Sequence, residues 1–117
     1  MTSTGRFSPI ANLRGAGFES KPCKFEQSGK KLFVWLNKPV KHAELSKVNI
    51  HYKVTDPRAG LYFIAPDRDY PARPWQLWTQ GQDQDNRYWI PCHDSPNEKA
   101  ATEMIVTVDD KYMAISN

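Results

Sequence analysis

Residues Gln80 to Asp85 run Gln-Gly-Gln-Asp-Gln-Asp, so amides and carboxylates stand close together around one glycine. An amide oxygen accepts a hydrogen bond from an ammonium group without a charge of its own, and nearby carboxylates attract a cation. Three tryptophans, Trp75, Trp78 and Trp89, flank this stretch, and large aromatic rings bury well. The pattern predicts a loop whose polar tip is held in place for binding. The alternative is a solvated turn between core residues, because surface loops are normally polar.

A second candidate is the run Cys92-His93-Asp94, in which three metal-capable residues are adjacent. Neighbouring side chains of a strand point to opposite faces, so these three cannot converge on one ion without a sharp turn. An activated thiolate at Cys92 is the other alternative. Burial of Cys92 as a small hydrophobe beside Trp89 and Ile90 is the preferred interpretation. The sequence contains no His-Glu-x-x-His or Cys-x-x-Cys motif, and we expect no metal site and no cofactor in this chain.

The formal net charge of +3 divides unequally along the chain. Residues 1–58 carry a net charge of +7, and residues 59–117 carry −4. The basic half also contains Phe33, Trp35 and Tyr52, a combination typical of single-stranded nucleic-acid binding. Tyr52, however, lies on the apolar face of its predicted strand, which favours a core role. Because the candidate loop lies in the acidic half, we expect a cationic partner and no nucleic acid.

The elements that must position these residues are predicted to be strands. In Val48–Val54 apolar residues alternate with Asn49, His51 and Lys53, the pattern of a half-buried strand. Short strands separated by turn residues predict an all-β antiparallel sandwich or barrel. One helical turn is predicted at Ser95, from a serine cap followed by proline. The remaining predicted strands are Phe18–Phe25, Lys31–Asn37, Leu61–Ala65, Gln76–Gln80, Glu103–Asp109 and Tyr112–Ser116, with an irregular loop from Pro66 to Pro74 and a tight turn at Asp110-Lys111.

We predict two regions, a flexible lead-in at 1–17 and a β-domain at 18–117. The chain stops where a hairpin should return, so we expect the domain to be incomplete at its C-terminus, with unpaired strand edges that permit self-association. Cys23 and Cys92 are expected to be free thiols. No signal peptide or membrane-spanning run is found in the sequence, so a cytoplasmic location is favoured and no membrane partner is expected.

The motifs around the loop resemble those of the aminopeptidase N family of zinc metallopeptidases. Thr79-Gln-Gly-Gln82, Arg87, the segment from Pro91 to Pro96 and Lys99-Ala100 follow the order Thr-Gln-x-Gln/Glu, Arg, Pro-Cys-x-Asp-x-Pro, Lys-Ala of the N-terminal β-domain of that family. Gly60-Leu-Tyr62 is similar to its Gly-Leu-Tyr/Phe element. The resemblance covers roughly residues 18–117 and implies the front part of a saddle-like sheet domain.

The resemblance implies a role for each matching position. Gln80 would line the pocket for the first side chain of a peptide substrate, and Gln82 would lie near its free α-ammonium. Four residues would be structural: Arg87, Cys92, Asp94 and Lys99, with Asp94 accepting backbone hydrogen bonds around the Ser95 cap and the basic residues as its ion partners.

The catalytic zinc, its ligands and the general base belong in that family to a following domain, so zinc is implied for the parent protein and this chain alone should not hydrolyse peptides. The implied partners are a peptide N-terminus and the protein's own catalytic domain. Ser95 and Trp89 depart from the common pattern, which often has an acidic residue and phenylalanine there. Relatives with this fold that have lost zinc act as scaffolds, notably a large subunit of a general transcription factor, and that alternative stays open.

Overall fold

The computed structural model describes residues 2–6, 11–29, 31–97 and 99–116, with side chains from residue 13 onward. Within these ranges, eight strands form three small antiparallel sheets that do not close into a barrel, which confirms the all-β prediction. One sheet has the order β1-β5-β4, the second β3-β2-β6, and the third consists of β7 and β8. The strands are β1 (Thr2–Arg6), β2 (Ala11–Phe18), β3 (Lys21–Pro22), β4 (Lys24–Ser28), β5 (Lys31–Trp35), β6 (Val48–Val54), β7 (Leu61–Ile64) and β8 (Gln76–Thr79).

The main core lies where the first two sheets meet. Leu32 and Val34 alternate with outward residues along β5, and each is almost completely buried. They pack with Ala16 and Phe18 of β2 and with Cys23, whose N–H donates to the Ala16 carbonyl. This apolar cluster holds the two sheets together, because removing apolar surface from water is the main favourable contribution to folding.

The strand β6 has the predicted bounds and the predicted alternation. Asn49, His51 and Lys53 are exposed, whereas Ile50 and Tyr52 are half-buried against the core. Burial raises the pKa of the Tyr52 hydroxyl, and the nearby Cys92 raises it further. Tyr52 is therefore part of the packing, as its position on the apolar face predicts.

The N-terminal region differs from the sequence prediction. The expected strand Phe18–Phe25 is divided, because Glu19 and Ser20 form a turn with positive φ angles between β2 and β3. Residues 1–17, predicted as a flexible lead-in, contain β1 and most of β2, so the predicted boundary at residue 17 falls inside a strand. The Gly- and Ala-rich sequence of β2 does not predict a strand. The strand forms because β2 pairs with β6 in antiparallel register, and β6 supplies its backbone hydrogen-bond partners.

The C-terminal region differs more. The predictions of strands at Glu103–Asp109 and Tyr112–Ser116 are wrong: both stretches lack ladder pairing, although the Asp110-Lys111 turn between them forms. Apolar side chains of this stretch are exposed, namely Met104, Ile105, Val106, Val108, Tyr112, Met113 and Ile115. A high β propensity makes a strand only where a partner strand accepts its hydrogen bonds. Self-association through unpaired edges stays a prediction.

At the predicted helical turn after Ser95, Pro96 and Asn97 form a turn, and Glu98 lies outside the described residues. A 3-10 helix, which the sequence did not predict, occurs at Asn86–Tyr88. In the part of the chain that the structure describes, no helix is long and apolar enough to span a bilayer.

Candidate functional site

The candidate loop leaves the small sheet of β7 and β8. Tyr62 and Trp78 are cross-strand partners whose rings stack at 4.6 Å between centroids. Gly60, just before β7, accepts a hydrogen bond from the N–H of Gln80 at 3.0 Å. Gly60 has a φ of +82°, and a Cβ atom there would overlap the carbonyl oxygen of Asp85 and stand 2.9 Å from the Trp89 ring. Only glycine fits this position, and it fixes the base of the loop.

The loop closes on itself through its own backbone. The Gly81 carbonyl accepts the N–H of Asp85 at 3.0 Å, and the Asn86 side chain packs against the Gly81 Cα. The 3-10 helix follows at once, with the Asn86 carbonyl accepting the N–H of Ile90 at 2.8 Å. The Gln82–Asp83 peptide bond at the tip is cis. The Asp85–Gly81 hydrogen bond makes the tip, residues 81–85, a compact turn.

Both candidate glutamines present their side chains to solvent. Gln80 and Gln82 are exposed, and neither side-chain amide has a hydrogen-bond partner among the described residues. Asp83 is exposed beside them, and Asp85 is half-buried. This arrangement leaves two amides and one carboxylate free to contact a ligand.

The predicted ion pair between Arg87 and Asp94 is present. Asp94 Oδ2 accepts hydrogen bonds from the Arg87 backbone N–H at 2.9 Å and from its Nε at 3.2 Å. The side chains are nearly buried, with 12% of Arg87 and 5% of Asp94 exposed. The Arg87 Nη2 donates further to the side-chain oxygen of Gln84 and to the Asp94 carbonyl. Arg87 therefore connects the loop tip to the segment after the 3-10 helix.

Cys92 is half-buried at a small cleft of about 140 Å³. Burial raises the pKa of its thiol to about 11, with a further increase from Asp94 that Arg87 partly offsets. Both cysteines are free, as predicted. A protonated thiol in partly apolar surroundings is a packing group and a poor nucleophile. The other residues lining the cleft are Leu32, Val34, Val48, Ile50, Pro91 and His93.

Three predictions about this region are corrected. Trp75 and Trp78 are 66% and 46% exposed and Trp89 is half-buried, so the three indole rings do not brace the loop as a set. The bracing comes from Gly60 and from the backbone bonds described above. Lys99 is exposed and forms no ion pair with the described residues, and within the same residues Asp94 accepts its hydrogen bonds from Arg87 rather than around a Ser95 cap. No cluster of three potential metal ligands is found within the described ranges.

Three residues support the loop although the sequence analysis gave none of them that role: Gly60, Gln84 and Asn86. The glycine in the turn before β7 is the one that sequence reasoning could have selected, because glycine is the usual residue at positive φ. The contacts of Gln84 and Asn86 depend on how the loop folds back, which its polar composition does not specify.

The peptidase M1 N-terminal domain family matches residues 6–117. The chain belongs to that family. The resemblance inferred from the Thr-Gln-x-Gln and Pro-Cys-x-Asp-x-Pro segments is thereby confirmed.

Individual relatives of this M1 N-terminal domain cover most of the chain. Aminopeptidase B of Rattus norvegicus is 31% identical over 98 residues, which is 84% of this chain and 15% of that protein. Aminopeptidase B of Homo sapiens is 30% identical over 91 residues, 78% of the chain and 14% of that protein. Transcription initiation factor TFIID subunit 2 of Gallus gallus is 30% identical over 82 residues, 68% of the chain and 7% of that protein. The chain thus spans less than a sixth of these relatives, and no solved structure matches it.

Proposed function

We propose that this M1 N-terminal domain serves a zinc-dependent aminopeptidase, in which its loop helps bind the free N-terminus of a peptide substrate. The observation that carries the proposal is the exposure of Gln80 and Gln82 on a loop fixed at its base by Gly60. Ligand groups on a fixed loop keep their geometry without being ordered anew at each binding event.

The chemistry of the tip suits an ammonium group. The Gln82 amide oxygen accepts a hydrogen bond from the substrate α-ammonium, and Asp83 contributes an attractive field. Gln80, on the β8 side of the tip, contacts the first side chain of the substrate. A hydrogen bond to a charged group is worth about 1.5–3 kcal/mol, so these contacts affect affinity measurably.

The hydrolytic step belongs to another part of the protein. A zinc ion in a following domain would polarise the scissile carbonyl and activate water. The residues described here include no cluster able to hold that ion. This domain supplies binding and orientation of the substrate N-terminus, and the rest of the protein is its structural partner.

The experiment uses the full-length protein that carries this domain. We expect Gln82→Ala to lower kcat/KM for peptides with a free N-terminus about tenfold or more, since the lost bond involves a charged donor. Gln80→Ala should change the preference among first side chains. Gln76→Ala removes another exposed glutamine from β8, outside the loop, and should leave kcat/KM unchanged. Unchanged kinetics in both loop variants would refute the proposal.

A second candidate is a zinc-free scaffold with the same domain. The similarity to TFIID subunit 2 of Gallus gallus favours it. In that case the following domain would lack the His-Glu-x-x-His motif and its distal glutamate. The full-length protein would then show no aminopeptidase activity in the presence of zinc.

A further inference from the structure

We propose that Arg87 is a positioning residue that clamps Gln84 to Asp94 and thereby sets the orientation of the loop tip. The inference rests on the proposed function, because the tip carries the amide of Gln82. It assigns a second task to Arg87 beyond its ion pair, and it gives Gln84 a role inside the loop.

The guanidinium group of Arg87 donates hydrogen bonds from two of its nitrogens. Its Nε donates to Asp94 Oδ2 at 3.2 Å, and its Nη2 donates to the side-chain oxygen of Gln84. Asp94 also accepts the backbone N–H of Arg87, so the arginine is fixed from both its main chain and its side chain. A planar group with several donors at fixed angles holds two acceptors at once, which a lysine ammonium does with far less directional control.

The position of Gln84 makes this contact important for the tip. The base of the loop is fixed by the Gly60–Gln80 bond, and the Gly81–Asp85 bond closes the turn. Those bonds leave the residues between Gly81 and Asp85 without any backbone hydrogen bond among the described residues. The Arg87–Gln84 contact is a third point of attachment, two residues from Gln82. Restricting backbone freedom before the ligand arrives lowers the entropy cost of binding.

The Arg87–Gln84 contact also distinguishes Gln84 from the other two glutamines of the loop. The side-chain oxygen of Gln84 accepts a hydrogen bond from Arg87, whereas the amides of Gln80 and Gln82 are exposed. A loop with three glutamines therefore presents two of them to a ligand and uses one for its own support.

The test uses Gln84→Ala, Arg87→Lys and the double variant of the full-length protein. Gln84→Ala should raise KM for free-amine peptides about fivefold, as expected for one lost hydrogen bond to a charged group at a partly exposed site, with kcat within about twofold. Arg87→Lys keeps the charge beside Asp94 and should raise KM similarly. Because Arg87→Lys already removes the Arg87–Gln84 contact, adding Gln84→Ala should not raise KM above that of Arg87→Lys alone.

Amide hydrogen exchange is a second measurement, and it does not depend on catalysis. Amide hydrogen exchange at Asp85, whose N–H donates to the Gly81 carbonyl and closes the turn, should accelerate several-fold in Gln84→Ala, because the tip opens more often. The matched control is Arg73→Lys, which alters another arginine–aspartate pair, with Asp67 at 3.0 Å, away from the loop. That variant should leave both KM and loop exchange unchanged.

The outcomes separate the two proposals. Unchanged exchange in Gln84→Ala, or additive effects in the double variant, would overturn the positioning role. Faster exchange with an unchanged KM would support the clamp and overturn the substrate-binding role of the loop. A raised KM with faster exchange supports both.

Discussion

The ion pair of Arg87 and Asp94 gives the sharpest prediction for the stability of this chain. In Asp94→Ala the Arg87 side chain and its backbone N–H lose an acceptor in a nearly buried site. Removing one partner of a buried pair costs about 3–5 kcal/mol. We expect about 3 kcal/mol, the lower end of that range, because Arg87 keeps Gln84 and the carbonyl oxygen at position 94. Asp94→Asn keeps an acceptor oxygen and should cost less, about 1–2 kcal/mol.

Urea unfolding followed by tryptophan fluorescence measures this loss. With a slope of about 2 kcal/mol per molar urea, typical of a small domain, the midpoint for Asp94→Ala should fall by about 1.5 M. The control is Asp109→Ala, which removes an exposed ion pair with Lys111 at 3.9 Å. Exposed pairs contribute about 0–1 kcal/mol, so that midpoint should hardly move. Equal midpoints for Asp94→Ala and Asp109→Ala would refute the structural role of the pair.

Two further predictions concern the residues around this pair. The pKa of the Cys92 thiol is raised from 9.0 to about 11, so its thiolate fraction at pH 8 is about a hundredfold below that of an ordinary thiol. Alkylation of Cys92, followed by mass spectrometry, should therefore be about a hundredfold slower in the folded chain than in urea. The unfolded chain loses this proton first as the pH rises from 9 towards 11, so the contribution of Cys92 to stability falls across that window; equal alkylation rates at pH 8 would contradict both statements. Gly60→Ala should lower the free energy of unfolding by about 2–4 kcal/mol, from an unfavourable φ and overlap with the Asp85 carbonyl. Gly29→Ala, at a φ of +57° with no atom near its Cβ, should cost only about 1 kcal/mol, and similar losses for the two alanines would count against the close approach at Gly60.

Strands with a clear pattern could be predicted from the sequence. Alternation in Val48–Val54 and the β-branched and aromatic run that begins at Lys31 both identify strands that the structure contains. The strand Ala11–Phe18 could not be predicted, because its residues favour turns and its conformation depends on pairing with β6. The opposite error occurs at Glu103–Asp109, where residues with high strand propensity have no ladder partner. Local preference and strand pairing are separate requirements, and the sequence reports only the first.

In the candidate site, too, local features could be predicted from the sequence, whereas contacts that depend on the folded backbone could not. Motif order located the loop and gave Arg87 and Lys99 as ion partners of Asp94, of which the structure contains the pair with Arg87. The sequence did not show which groups would hold the loop. Aromatic rings were expected to do so because they usually bury well, yet Trp75 stays in solvent and Gly60 provides the support. The close approach at Gly60 depends on backbone geometry, which side-chain chemistry does not reveal.

The attachment of the loop at Gly60 uses main-chain atoms on both sides, the N–H of residue 80 and the carbonyl of residue 60. A substitution of Gln80 therefore changes the chemical group that the loop offers while its location in space is kept. Point changes at the tip can therefore alter the groups that the loop presents without any change in the backbone beneath it. Members of one family can in this way keep the same loop position and carry different side chains on it.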